Sequence, residues 1–597
     1  MIDDEIKESI LEALADIYGK SEVERKDITE GIVLEHPKDL SHGDYSFAMM
    51  RITQTNLGTK RSIEKSHPGA TILLNLTLPD APKVQAQKLV AKLRLPKEIE
   101  KVEIAGVGFI NFYLSKGFFS ESVSEALRQA QGYGKTKVLG NAKVMVEYTD
   151  PNPFKEFHIG HLMSNAVGES IARLFEFRGA KVLRACWQGD VGLHVAKALW
   201  GMKQKFEARS SKLEEMDAKA LGEAYVLGSE KFETDESAKK EITALNKVIY
   251  EKSDAEVDKL YDAGRTMSLK HFEEIYKILG TKFDYYFFEG REGREGQPIV
   301  EKGLAAGVFE KSDGAVVFKG EKRGLHTRVF ITTQGLPTYE TKELGLNKAK
   351  FEKEPDLDES IIVTANEQSD YFKVVLAAMK EVLPEVAKKT KHVTHGMLRF
   401  ASGKMSSRTG NVITGESLIE QVKALVREKV RAREIPEPEK ETLAEVVAVG
   451  AIKYSILRQG IGGDITFDFE KSISFEGDSG PYLQYSYVRA RSVLAKATTE
   501  KIRASAELPE NWETTVLEKL LYRFPEVVGR AGRELEPHYI ATFIIELAGA
   551  FNSWYANEQI VDARDSTSPY KVALTEAFTV VMKNGLWLLG ICTPEKM

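Results

Sequence analysis

The chain has 597 residues, too many for one hydrophobic core, so roughly two to four domains are expected. Its two cysteines, Cys186 and Cys592, exclude a disulfide framework or a cysteine-rich zinc site, and its eleven histidines lack metal-ligand spacing. A net charge of −6 argues against indiscriminate binding to any polyanion, and no apolar run approaches the ~18 residues of a membrane span.

The first block, residues 1–117, mixes helical periodicity with short strands. Ile6, Ile10, Ala13, Leu14 and Ile17 make one face of an acidic amphipathic helix, the opposite of a secretory leader. Strands are expected at 72–78 and 109–114, with SHGDYSF at 41–47 and GVGFINFYL at 106–114. Phe112 reads as core; Phe109 and Asn111 read equally well as core and turn cap or as an exposed contact.

The second block, 118–474, begins its chemistry at an apolar strand, 144–148, followed by DPNPFKEFHIGH at 150–161. Ala166, Val167, Ile171, Leu174 and Phe175 then share one helical face. A strand, a tight glycine turn and a helix bring backbone N–H groups and a helix N-terminus to a phosphate chain. Gly160 removes a Cβ where a nucleotide would press, and His158 and His161, three apart, can both donate to triphosphate oxygens. The plain alternative is a helix cap beside two surface histidines. QGDVGLH follows at 188–194, and then a charged helical stretch, about 197–280, striped by Ile242, Leu245 and Ile249. This stretch reads as an insertion with a solvated face, and it is equally able to support RNA. Short strands are expected in LGTKFDYYFFEG and GAVVF. Farther on, Tyr339 and Glu343 are four apart and share a helical face, a plausible grip for a planar cation or an ordinary i,i+4 pair. GKMSSRTGN at 403–411 offers a mobile lysine and two hydroxyls between glycines; alone it is a solvated basic loop.

The third block, 475–597, is helical throughout. Tyr482, Tyr485, Tyr487, Arg489 and Arg491 place rings and cations at one end of a helix, as proteins holding unpaired RNA bases do. Tyr482 and Tyr485 are read with equal weight as core.

The ordered pair DPNPFKEFHIGH and GKMSSRTGN resembles the two signatures of class I aminoacyl-tRNA synthetases. HGDY with GVGFINF, together with GPYLQYSYVRAR and the closing WLLGICTPEKM, is similar to the arginyl-tRNA synthetases over essentially the whole chain. The resemblance implies an α/β fold: a Rossmann-like catalytic domain (118–474), an N-terminal α+β tRNA-binding domain (1–117) and a C-terminal all-helical anticodon-binding domain (475–597). It implies ATP-dependent activation of arginine and its transfer to the cognate arginine tRNA, in the cytoplasm, by a chain expected to be a monomer. Mg²⁺ would arrive with ATP and need no protein cage.

Carried over residue by residue, Lys155, His158, His161, Lys404 and Ser406 are the expected catalytic groups. ATP would meet His158, Gly160, His161, Lys404, Met405 and Ser407. Arginine would meet Glu147, Asn152, Asp190, Tyr339, Glu343 and Gln368, and tRNA would meet Phe109, Asn111, Tyr485, Arg489, Tyr555 and Met597. The chain departs from the family where Glu343 replaces an aspartate, which sets the pocket floor a methylene farther back. Thr333 and Gln334 replace serine–aspartate, Tyr371 replaces a histidine, and Leu193 and His194 replace threonine–glutamine. The Glu343, Gln334 and Tyr371 departures are what a non-catalytic relative would offer in its own favour; the intact histidines, lysines and loop serines oppose it.

Overall fold

The computed structural model describes residues 1–18, 32–49, 81–209, 217–400 and 414–597. The strand expected at 72–78 lies outside these residues, as do Lys404, Met405, Ser406 and Ser407. The chain divides into two compact units. One is Met1–Tyr133 with Ala490–Glu526 and Ala550–Val581; the other is Gly134–Arg489 with Val527–Gly549 and Met582–Met597.

In the first unit the helix Ile2–Tyr18 buries Ile6, Ile10, Ala13 and Leu14, the face its spacing predicts. Four strands pair antiparallel in the order β1–β2–β4–β3: β1 (Leu34–Glu35), β2 (Tyr45–Ala48), β3 (Ile99–Ala105) and β4 (Phe109–Leu114). Ile110, Phe112 and Leu114 alternate inward along β4, as a half-buried strand requires. The core is completed by Tyr522, whose ring lies 5.4 Å from Phe118, 5.7 Å from Phe119 and 6.1 Å from Tyr45. Around it, His36 Nε2 lies 3.0 Å from Glu526 Oε2, and Lys519 Nζ lies 3.5 Å from Asp44 Oδ1.

The second unit is built on β5 (Lys143–Glu147), β6 (Lys181–Gln188), β7 (Tyr285–Phe288), β8 (Glu310–Ser312), β9 (Ala315–Phe318), β10 (Arg328–Ile331), β11 (Glu359–Ala365), β12 (Thr390–His395), β13 (Leu398–Phe400) and β14 (Ile465–Phe467). Five of them form a parallel sheet in the order β12–β11–β5–β6–β7. The chain runs outward from β5 in one direction and later fills the other side. The switch point therefore falls between β5 and β11, where open parallel sheets hold ligands at their carboxyl ends. Strands β8, β9 and β10 form a small antiparallel sheet, and β13 pairs with β14.

The charged stretch is four helices, Leu193–Arg209, Ala218–Thr234, Glu236–Glu251 and Ala255–Leu279. The last three start at Asp217, Asp235 and Asp254, each of which accepts from backbone N–H groups of the following turn. Ile242, Leu245 and Ile249 are buried against Val195, Leu199 and Met202, so the stripe read from the sequence is this insertion's own core.

Candidate active site

The strand β5 and the helix Ile159–Phe177 frame the first signature, and Ala166, Val167, Ile171, Leu174 and Phe175 are all buried. The connection is not the tight glycine turn expected from the sequence. It takes eleven residues, 148–158, with Thr149, Asp150 and Phe154 at φ of 77°, 48° and 70°. Such left-handed residues cost about 1–3 kcal/mol each and persist only where neighbours fix them. Here they are fixed: Thr149 N donates to Ser164 Oγ at 3.0 Å, Phe154 N to Ser268 Oγ at 2.9 Å, and Asp150 Oδ1 accepts from Trp187 N at 2.7 Å.

His158 is the N-cap of the helix, and His161 sits in its first turn with the two rings stacked 3.4 Å apart. His158 Nδ1 accepts from Gly160 N at 3.1 Å, and His161 Nδ1 accepts from His158 N at 3.2 Å. Both rings use Nδ1 as acceptor, so in the neutral form each carries its proton on Nε2. Burial, reinforced by Lys155, holds His158 below its ordinary pKa; burial with His158 and Lys155 holds His161 far below. The pair is thus two neutral Nε2–H donors at a helix N-terminus. A Cβ on Gly160 would sit 3.0 Å from His158 Cε1, so in this structure the missing side chain makes room for the histidine ring itself. Thr414 pairs with His158, and Gly415 N donates to Phe157 O at 2.7 Å, so the chain leaving the second signature returns beside the first.

A second cluster is acidic. Glu147, at the carboxyl end of β5, is 1% exposed, and Lys350 Nζ lies 2.6 Å from its Oε2. Glu343 is buried on the same helix as Lys350, Tyr339–Lys353, while Tyr339 at that helix's start is 61% exposed. Burial, then the charge of Glu147, pushes the Glu343 carboxyl up to about 8. The same two causes, in the same order, hold Asp150 well above its usual range. Asn347 Nδ2 donates to Glu343 O at 2.9 Å, which leaves its buried Oδ1 without a hydrogen-bond partner among the described residues. Glu289 pairs with Lys342 at 2.9 Å beside a cavity of about 460 Å³ that Tyr250, Gly293 and Pro337 also line.

Asp190 holds neighbouring elements together. Its Oδ1 accepts from Gly290 N at 2.8 Å and its Oδ2 from Tyr261 hydroxyl at 2.9 Å, with Arg265 Nε at 3.2 Å. Asn152 lies over Gly189, where a Cβ would come within 2.2 Å of its Oδ1. His194 Nε2 donates to Gly189 O at 2.8 Å, and burial lowers its pKa to about 4. Lys155 Nζ lies 5.5 Å from the Tyr225 ring centre. Gln368 is exposed just beyond β11, as are Thr333 and Gln334 in their own loop. Tyr371 is buried, and burial followed by Glu343 raises its phenol well above the ordinary value.

Two helices deliver this acidic cluster, and they cross through glycines. A Cβ on Gly296 of the helix Glu289–Ala305 would meet Thr341 O at 1.9 Å, and one on Gly345 would meet Glu292 O at 2.0 Å. Sequence reasoning missed Glu289, Lys342, Asn347 and Lys350. The last two had a usable signal, since they follow Glu343 by four and seven on one helical face.

The residues read for RNA lie in separate places. In the first unit Phe109 is 40% exposed, so it is not core, whereas Asn111 is buried and its Oδ1 accepts from Ser46 Oγ at 2.8 Å. Tyr555 is 41% exposed and its ring lies 6.2 Å from Phe551. In the second unit the Arg489 guanidinium lies 4.7 Å from the Tyr485 ring, both half-buried, and Met597 O accepts from Arg433 Nη1 at 3.4 Å. Tyr487, read as a stacking ring, is 8% exposed and belongs to the interior.

Three family models match the chain: tRNA synthetases class I (R), catalytic domain, at 122–469; DALR anticodon binding domain at 483–597; and arginyl tRNA synthetase N terminal domain at 4–114. The arginine–tRNA ligase of Clostridium perfringens is 31% identical over 524 residues, 87% of this chain and 91% of that one. That of Treponema denticola is 30% identical over 587 residues, 96% of each. In fold, the chain is similar to the solved arginyl-tRNA synthetase of Thermus thermophilus, with a TM-score of 0.74 and 23% identity over 100% of both chains. It is also similar to that of Plasmodium falciparum, with a TM-score of 0.76 and 19% identity over 99% and 98%.

Proposed function

The chain belongs to the arginyl-tRNA synthetases, class I enzymes that join arginine to its tRNA, and from that premise we propose which of its residues do the work. Its activity is that of an arginine–tRNA ligase: ATP and L-arginine form arginyl-adenylate and pyrophosphate, and the arginine passes to the 3′ end of the tRNA.

The arginine carboxylate is ionised at neutral pH and attacks the α-phosphate without a general base, so catalysis is positioning and charge stabilisation. His158 and His161 supply neutral Nε2–H donors, Gly160 lets the His158 ring lie flat over the helix start, and Lys155 adds charge. Lys404, Met405, Ser406 and Ser407 close on ATP from the second signature. Mg²⁺ comes with ATP and is held mainly by its phosphates.

The observation that carries the arginine assignment is the buried acidic cluster at the carboxyl end of β5. Glu147 and Asn152 take the α-amino end, while Glu343, Tyr339 and Gln368 take the guanidinium, with Asn347 Oδ1 as a further unmet acceptor. A guanidinium's five donors are met by such acceptors, and shorter or neutral side chains leave them unpaired. Asp190 acts from behind, fixing Gly290 and the start of the helix that carries Glu289. For tRNA we propose Phe109 on the N-terminal domain (1–117), where the buried Asn111 is held by Ser46 and serves the sheet instead. The anticodon-binding domain (475–597) contributes Tyr485, Arg489, Tyr555 and Met597, with 118–474 as catalytic domain. The Arg489–Tyr485 stack supports this reading. We place the enzyme in the cytoplasm as a monomer; among the described residues no helix is long and apolar enough to cross a membrane.

ATP–pyrophosphate exchange with each amino acid, with and without total tRNA, tests the pocket. Exchange with arginine, stimulated by tRNA, is expected. Exchange with a different amino acid would discard the assignment of Glu147 and Glu343.

A further inference from the structure

Around Glu343 the charged and titratable groups come from every packed element: Glu147 from β5, Asp150 from the following loop, Glu289 with its partner Lys342, Tyr371 from the helix Ser369–Val382, and Lys350 from its own helix. Glu340, which also acts on Tyr371, is paired with Arg328 at 3.1 Å. Glu289 is neutralised by Lys342, so three carboxylates, Glu147, Asp150 and Glu343, face one ammonium, that of Lys350. Burial and then the Glu147 charge favour the protonated forms of Glu343 and Asp150, and the two cations that arginine brings oppose this.

We propose that Lys350 is a positioning residue of the arginine pocket, holding the Glu147 carboxylate in place and setting the number of negative charges the pocket presents to its substrate. The geometry is direct: the ammonium is wholly buried, 2.6 Å from Glu147 Oε2, and sits seven residues beyond Glu343 on the same helix. Lys350 offsets the Glu147 carboxylate permanently, and the arginine cations favour ionisation of the acids beside it. Without it, the neighbouring acids hold their protons to higher pH, and a retained proton competes with the substrate. The inference rests on the reading that Glu147 and Glu343 hold arginine.

The test is ATP–pyrophosphate exchange at varied arginine, with tRNA present, between about pH 6.5 and 9.5. In the parent enzyme KM for arginine should fall as pH rises and level off near 8, where Glu343 loses its proton. Lys350→Met keeps most of the packing and removes the charge. It should raise KM for arginine at pH 7 by at least about tenfold and move the levelling upward by about one pH unit, with kcat at saturating arginine and KM for ATP each within about threefold. Lys350→Arg keeps the charge and should leave the levelling where it is, with KM within about fivefold. A folded Lys350→Met enzyme with unaltered KM and pH profile would overturn the proposal. If that variant does not fold, a shifted profile in Lys350→Arg, whose charge is intact, would do the same. Glu343→Gln in the same assay separates the two readings: should it leave KM for arginine unchanged, the pocket assignment fails; should it raise KM while Lys350→Met does not, only the role of Lys350 fails.

Discussion

At the scale of single residues, the site stores free energy in Glu343. Its carboxyl is pushed up to about 8 in the folded chain but loses its proton near the ordinary glutamate value of 4.5 when unfolded. A raised folded-state pKa gives stability that is complete below 4.5 and drains away as pH rises toward 8. At pH 7 the acid therefore costs the free enzyme about 3 kcal/mol. Glu343→Gln should accordingly melt higher than the parent at pH 8 while raising KM for arginine about 30-fold or more, because a charge-assisted pair is lost. Thermal melts beside exchange kinetics check both halves; a variant that loses stability and keeps its KM would contradict the account. The sequence disclosed the carboxylate and its partner Glu147 through the family likeness. It could not disclose the shifted acidity, which comes from burial and from the Glu147 charge on another strand, with Lys350 opposing both.

Elements show the same division. The strand β5, the helix Ile159–Phe177 and the insertion's apolar stripe were all readable, because each rests on a local periodicity. The connection from β5 to that helix was misread as a glycine turn, since nothing local announces that Thr149, Asp150 and Phe154 adopt left-handed conformations held by Ser164 and Ser268. The first half of the helix Glu289–Ala305 carries three glycines, 290, 293 and 296, a residue type that costs a helix interior about 1 kcal/mol each. Gly293 and Gly296 are the contact surface through which Glu289 and Glu343 are brought to one place, with Gly345 as their counterpart, while Gly290 packs against Asp190 and Val191. Gly345→Ala should push the two helices apart, costing about 2 kcal/mol or more although alanine favours helix by about 1 kcal/mol. KM for arginine should rise with it, because Glu343 and Lys350 ride on the displaced helix. Denaturant melts and arginine titrations measure the pair of effects, and a stabilised variant with unchanged KM would refute the close-packing argument.

For the whole molecule, the informative feature is how far apart in the chain one core's components lie. Tyr522 closes a core otherwise made from residues near the N-terminus, and Tyr522→Ala should cost about 3–5 kcal/mol and loosen β2 and β4. Hydrogen exchange would show it as lost protection at Phe47 and Phe112; unchanged protection there would mean that the core stands without the tyrosine. No sequence pattern reveals this contact, which joins segments some four hundred residues apart. It also imposes a schedule on synthesis. At roughly 5–20 residues per second, a ribosome that has finished β4 needs about 20–80 seconds more to reach Tyr522. For that interval the N-terminal core lacks the ring that closes it, and its completion is timed by translation rather than by its own segment.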